Sequence, residues 1–152
     1  MNMALTRNRF LADTVATAGP QQILTMLYDR LVLDINRAEL AQRKGERAQA
    51  TEMLGHAQEI VASLASTLDV EVWDGGKDLM ELYMYLLREL VGASLDGDAD
   101  RTAACAAIVT PLRDAWHQAA ASVAASSARA IPTQRPGAAF GEPTTGGELG
   151  VG

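Results

Sequence analysis

Four stretches of the chain place apolar residues three and four positions apart, which is the spacing of one face of an α-helix. The predicted helices cover about residues 20–44, 47–68 and 77–95, with a fourth that begins in the acidic turn after residue 95. Gly19 and Pro20 are predicted to open the first helix, and Gly45 to cap its end. Because short connections make neighbouring helices antiparallel, the predicted fold is an all-α, up-down four-helix bundle.

Each predicted helix carries one apolar stripe that suits the core of a bundle. The core positions are, in chain order, Leu24, Leu27, Tyr28, Leu31, Ile35, Ala38, Met53, Ala57, Ile60, Val61, Leu64, Leu68, Leu79, Leu82, Tyr83, Leu86, Leu90, Cys105, Ile108, Val109, Leu112, Trp116 and Ala119. Pro111 lies inside the fourth helix, and proline removes a backbone donor there. We therefore expect either a kink at Pro111 or a restart of the helix with Thr110 as its N-cap.

The first and third helices carry more apolar surface than a bundle core requires. One extra set recurs every seven residues at roughly 160–200° from the core stripe, and we name it the first outer stripe: Met26, Leu33 and Leu40. The third helix has a second outer stripe, centred about 100° from its core positions: Met80, Met84, Leu87, Val91 and Leu95. Two such helices suggest a groove for another polypeptide, since methionine adapts to varied partners. Burial of a central helix, or homodimerisation through the stripes, would explain the same pattern.

The two ends of the chain differ from the predicted bundle, which occupies residues 20–125. Residues 1–19 form a short lead with partial helical spacing, and charged residues interrupt it before any secretory signal could form. Residues 126–152 are rich in Gly, Pro and Thr, so we expect a disordered tail. No run of about 18 apolar residues exists, so no membrane insertion is expected.

Composition restricts the partners and the chemistry further. The formal net charge of −6 argues against nucleic acid and against anionic membranes, because both require a basic surface. Cys105 is the only cysteine, so no intrachain disulfide can form, which suits a reducing compartment. Cys105 lies on an apolar stripe without a basic neighbour, and we expect a small buried core residue.

Two clusters resemble metal sites, and both are better explained otherwise. The acidic turn DGDAD, residues 96–100, begins like a calcium-binding loop, but the positions that need Gly and Glu hold Arg101 and Ala107. A helix-capping turn is the favoured interpretation. Glu52, His56 and Glu59 lie on one helix, whereas carboxylate-bridged metal bundles need Glu-x-x-His pairs from two helices. We expect a solvated face there.

No motif supports catalysis. His117 has no acidic or nucleophilic companion at a suitable spacing, and the common nucleotide-binding and hydrolase signatures are absent. The sequence therefore predicts a binding protein without enzymatic activity and without a cofactor or metal.

Four motifs in order resemble the flagellin export chaperone family, FliS. The stretch VATAGPQQILTMLYDRL is similar to the family's N-terminal signature, and it is followed by STLD at 66–69, GGKDL at 75–79 with LY at 82–83, and LRDAW at 112–116. The resemblance implies a small antiparallel helical bundle in the cytoplasm. It also implies the function of that family, whose members bind the C-terminal region of unexported flagellin in apolar grooves. They prevent premature polymerisation and help to deliver flagellin to the flagellar type III export apparatus.

The resemblance also implies roles for the outer stripes and the lead. The client-binding groove would be lined by Met26, Leu33, Leu40, Met80, Met84, Leu87 and Val91. Family members usually place a tyrosine before the V-x-T-A motif, on a segment that can cover the groove when flagellin is absent. Phe10 lies near that position and would keep the covering role without the hydroxyl. Export-apparatus components and a second copy of the chain are further candidate partners. The alternative function is that of a self-associating structural or adaptor bundle.

Overall fold

The computed structural model describes residues 19–130, which form four α-helices joined by short connections. Helix α1 is Pro20–Arg43, α2 is Arg47–Thr67, α3 is Gly76–Asp96 and α4 is Ala99–Ala130. Each helix packs against the next, and α4 closes the ring against α1. Helices α1 and α3 therefore lie diagonally across the core. The predicted all-α four-helix bundle is confirmed, while the lead and most of the tail lie outside the described residues.

The first helix ends as predicted, with glycine in a left-handed conformation. Gly45 has φ 76°, which L-residues with a Cβ rarely adopt. The N–H of Gly45 donates to the carbonyl of Gln42 at 3.1 Å, and that of Glu46 donates to the carbonyl of Ala41 at 2.8 Å. This pair of hydrogen bonds is a Schellman motif, and it satisfies the last carbonyls of α1.

The acidic turn between α3 and α4 caps a helix, as the favoured interpretation predicted. Gly97 has φ 66° and ends α3. Asp98 follows it, and its Oδ1 accepts the backbone N–H of Asp100 at 3.0 Å and of Arg101 at 3.1 Å. A side-chain acceptor at this position satisfies donors that the first turn of α4 leaves without a helical partner.

The predicted core stripes face inward, with one exception. Tyr28 and Tyr83 meet across the centre, where their hydroxyl oxygens lie 2.6 Å apart, and burial raises the pKa of both. Cys105 is buried as predicted, and burial raises its pKa to about 11. Ala119 is exposed, so its assignment to the core is wrong. Past Trp116, α4 runs beside the start of α1, and Ala120 rather than Ala119 turns toward it.

Two buried polar groups are satisfied by partners within the bundle. Asp34 has no exposed surface, and its carboxylate accepts the Nε–H of Arg30 at 3.0 and 3.2 Å. Gln42 Nε2 donates to the carbonyl of Ala93 at 3.0 Å, and Gln42 Oε1 accepts the hydroxyl of buried Thr102 at 2.7 Å. The Gln42 amide therefore joins α1, α3 and α4 at one end of the bundle.

Helix α4 differs from its prediction in continuity and in length. It is continuous through Pro111, so a restart at Thr110 is wrong, while a kink stays a prediction. Thr110 Oγ1 donates to the carbonyl of Ala106 at 2.8 Å, one turn back, instead of capping a new helix. The helix also continues five residues past the predicted boundary at residue 125, because neither Gly nor Pro interrupts residues 126–130.

Candidate protein-binding surfaces

The first outer stripe lies on the solvent face of α1. Leu33 is 39% exposed, Leu40 is 55% exposed and Met26 is half-buried. On the opposite face of the same helix, Leu31 is fully buried. The spacing therefore separated the two faces of α1 correctly, and the first outer stripe is surface rather than core.

The second outer stripe is also surface along most of α3. Met84 and Val91 are about two-fifths exposed, at 40% and 42%, and Leu95 is 72% exposed. Met80 is half-buried, and Leu87 is half-buried because it packs against the core. An open hollow of about 560 Å³ runs along this face, and its lining includes Met80, Met84, Tyr85 and Arg88. Tyr85 is an exposed aromatic residue of this lining, and the sequence analysis did not include it in the second outer stripe.

The two outer stripes belong to helices that lie diagonally across the core, so we describe each stripe as a surface of its own, and their role as a client-binding groove stays a prediction. The hydroxyls of Tyr28 and Tyr83 meet in the core, which means that the inner faces of α1 and α3 point toward each other. The first outer stripe lies about 120–160° around α1 from Tyr28, whereas the second lies about 40–120° around α3 from Tyr83, so the two stripes occupy different faces of the bundle. Helical spacing gives the angle of a residue around its own axis, but it does not reveal which helices are neighbours.

A third apolar surface lies at the end of the bundle where α1 and α3 begin and α2 ends. It is an open cavity of about 520 Å³, which we name the end cavity. Its wall contains apolar side chains from all four helices and from the connection between α2 and α3: Ile23, Leu24, Leu27, Leu64, Leu68, Val72, Trp73, Leu79, Tyr83 and Trp116. Several of these residues belong to predicted core stripes, but the bundle does not close over them here.

The connection between α2 and α3 supplies the exposed rim of the end cavity. Val72 is 73% exposed and Trp73 is 47% exposed. The Trp73 ring lies over Gly75, where a Cβ would collide with it, and a Cβ on Gly76 would press on the backbone of Val70. The two glycines thus allow the connection to fold back and present its tryptophan. The sequence analysis predicted this stretch only as a loop. Two large apolar residues in a loop could have indicated an exposed apolar surface there.

The end cavity lies beside the start of the described chain. Pro20, the first residue of α1, lines the cavity. Phe10, the predicted cover of the groove, lies outside the described residues. Its covering role therefore stays a prediction.

His117 has an acidic partner, contrary to the prediction from spacing. Its Nε2 lies 2.7 Å from Oδ1 of Asp29, across the contact between α4 and α1. The two residues are 88 positions apart in sequence, so no local pattern could reveal the pair. Both side chains are half exposed, and pairs of this kind usually stabilise a fold by less than about 1 kcal/mol.

Residues 19–130 also bear on two other classes of site. No group of three or more His, Cys, Asp or Glu side chains in this range is placed to hold a metal ion. Of the four helices in the same range, none is long and apolar enough to cross a membrane.

The fold and its surfaces define a helical bundle whose exposed apolar faces suit the binding of other polypeptides. The family described as flagellar protein FliS matches residues 3–123. The flagellar secretion chaperones FliS of Bacillus subtilis and Salmonella typhimurium are each 32% identical to the chain, over 107 and 110 residues, covering 70% of it and 80% of each relative. The FliS of Escherichia coli is 30% identical over 108 residues, which is 79% of its length. The chain belongs to the FliS family.

Proposed function

We propose that this chain is a cytoplasmic flagellin export chaperone. It binds the C-terminal region of unexported flagellin, prevents premature polymerisation and aids delivery to the flagellar type III export apparatus. Membership of the FliS family supports the general role, since the compared relatives are flagellar secretion chaperones. The observation that carries the proposal is the exposure of Leu33 and Leu40 on a helix whose inner face is fully packed. Surplus apolar surface of this kind marks a site for a partner protein.

The client contacts more than one side of the bundle. The first outer stripe, the second outer stripe and the end cavity are three separate apolar surfaces, so one short helix cannot fill them all. An extended client that forms helices where it meets each surface matches this arrangement, because an amphipathic helix lays its apolar face against an apolar surface. The methionines of the two stripes adapt their shape to the side chains that they receive.

Phe10 covers the end cavity while the client is absent. It precedes Pro20 by ten residues, and an extended chain of that length reaches about 30 Å or more. The wall of the end cavity carries Trp73 and Trp116, against which another aromatic ring packs favourably. Under this proposal the lead and the client compete for one surface, so the lead lowers the apparent affinity for flagellin.

Size-exclusion chromatography with light scattering tests the proposal. The purified chain is mixed with the C-terminal region of flagellin from the same organism, and the mass of the complex is measured. We expect a one-to-one complex, whatever the oligomeric state of the free chain. A stable homodimer whose mass does not change when the flagellin fragment is added would favour the alternative, a self-associating bundle whose outer stripes pair between copies. Two components that elute separately would contradict the chaperone proposal.

A further inference from the structure

The solvent face of α1 pairs apolar and basic residues in a regular way. Each residue of the first outer stripe is followed four positions later by a cation: Met26 by Arg30, Leu33 by Arg37 and Leu40 by Lys44. Positions four apart are neighbours on a helix surface, so a basic row borders the apolar stripe along one edge. Charges that flank an apolar stripe select the charge of the partner that packs on it, as the flanking positions of coiled coils do.

Two of these three cations are available to a partner. Arg30 directs its Nε to the buried carboxylate of Asp34 and thus compensates a charge inside the bundle. Arg37 and Lys44 are exposed and take part in none of the ion pairs formed within residues 19–130. By contrast, nearby Arg43 is paired with acidic side chains. Arg37 and Lys44, the cap residue just after α1, are therefore uncompensated positive charges about 10.5 Å apart along the helix axis.

We infer that the first outer stripe binds an amphipathic helix whose apolar face is bordered on one edge by carboxylates about seven residues apart. This inference rests on the proposed function and specifies which kind of client segment this surface receives. Apolar contact supplies the affinity, while pairing of the carboxylates with Arg37 and Lys44 fixes the register and orientation. Because the chain has a net charge of −6, most of its surface repels an acidic segment, whereas the positive charges of this face attract one.

The second outer stripe does not share this pattern. Most of its apolar residues are followed four positions later by another apolar residue, as Met80 is by Met84 and Leu87 by Val91. Arg88, four positions after Met84, is the exception. The two stripes consequently select different client segments, and the acidic-edged helix belongs on α1.

A second copy of the chain fits the first outer stripe less well than an acidic helix does. Two antiparallel copies of α1 would bring the basic rows of Arg37 and Lys44 against each other, and like charges across an interface are unfavourable. In a parallel pair the basic row would face the other edge of the stripe, which holds the residues three positions after each apolar one. Asn36 and Arg43 offer no carboxylate there, and Asp29 is already paired with His117. The charges of this face thus disfavour homodimerisation through α1.

Charge reversal tests the inference. The dissociation constant for the C-terminal region of flagellin is measured by titration calorimetry for the parent chain and for Arg37→Glu/Lys44→Glu, at about 50 mM and about 500 mM salt. The control variant Lys77→Glu/Arg129→Glu makes the same change in net charge at exposed positions away from the stripe. We expect the reversal to weaken binding roughly tenfold or more at low salt and to have little effect at high salt, while the control changes binding by less than about threefold.

The outcomes distinguish failure of the acidic-edged helix from failure of the proposed function. If the parent binds and the reversal leaves binding unchanged, or if both variants lose affinity equally, the acidic-edged helix is overturned while the proposed function stands. If the parent does not bind the fragment, the proposed function is overturned and the inference with it. As a rescue, changing the acidic edge of one flagellin helix to lysine should restore binding to the reversed variant. Failure of every such change to restore binding would also overturn the inference.

Discussion

Asp34 is a carboxylate without exposed surface, held by a guanidinium that is itself half exposed. A buried charge costs several kcal/mol of desolvation, which its partner must offset. Arg30 therefore serves the interior of α1, although its side chain leaves the helix beside the first outer stripe. Individual residues on this helix thus divide between stabilising the bundle and presenting a surface, and helical spacing alone does not distinguish the two roles.

Removing the Arg30 guanidinium should destabilise the bundle. In Arg30→Met the Asp34 carboxylate stays buried without its ion pair, so we expect the free energy of unfolding to fall by about 3 kcal/mol. Urea denaturation followed by circular dichroism measures the change. The control Arg30→Met/Asp34→Leu removes both charges and should recover most of the loss. A single variant as stable as the parent would show that Asp34 does not depend on Arg30.

Phe10 is the residue through which the lead should act. If it covers the end cavity, Phe10→Ala removes an intramolecular competitor and raises the affinity for flagellin, by at most about tenfold, since one partly exposed ring is worth on the order of 1–1.5 kcal/mol. Titration calorimetry measures the affinity. Phe140→Ala, which truncates the other phenylalanine of the chain, is the control and should change little. Weaker binding of Phe10→Ala would mean that Phe10 contacts the client instead.

At the scale of elements, helical periodicity predicted the inner and outer faces of single helices, but it gave no information about the connections between them. It separated buried Leu31 from exposed Leu33 on one helix, because an α-helix fixes the angle between residues two positions apart. It could not predict the pairing of His117 with Asp29, which depends on how α4 packs against α1. The connection that carries Trp73 has no periodicity at all, so the end cavity was outside the reach of the pattern. Surfaces made by one helix are readable from sequence, whereas surfaces made by several elements are not.

Helix α4 lacks one backbone hydrogen bond at Pro111, and a substitution that restores it should stabilise the protein. Pro111 has no N–H to donate to the carbonyl of Ala107, and its ring crowds the preceding turn. Because Pro111 is exposed, Pro111→Ala removes no core contact. We expect the free energy of unfolding to rise by about 1–3 kcal/mol, measured by urea denaturation. Ala115→Ser, at an exposed position one turn later, is the control and should have little effect. A less stable Pro111→Ala variant would show that proline at this position favours the packing of α4.

At the scale of the whole molecule, we expect the stable unit to be smaller than the chain. The last ten described residues of α4, 121–130, are exposed, so this end of the helix adds length without adding core. The three apolar surfaces all belong to the part of the bundle before it. We therefore expect the four packed helices to supply both stability and binding, and the C-terminal tail to be dispensable for both.

Truncation before Ser126 tests this division. The deletion removes no buried side chain of α4, so the midpoint of thermal unfolding should change by no more than about 2 °C. Circular dichroism at 222 nm follows both the helicity and the midpoint. A fall of many degrees would show that residues after 125 pack against the bundle.

The first outer stripe carries the central claim, and Leu33→Glu tests it most directly. The site is already exposed to water, so the variant should stay folded, while its affinity for the C-terminal region of flagellin should fall about a hundredfold through lost apolar contact and a desolvated charge. The control Leu31→Glu places the same carboxylate in the core and should unfold the bundle. Calorimetric titration beside circular dichroism gives both results. A Leu33→Glu protein that is folded and binds flagellin as tightly as the parent would contradict the account.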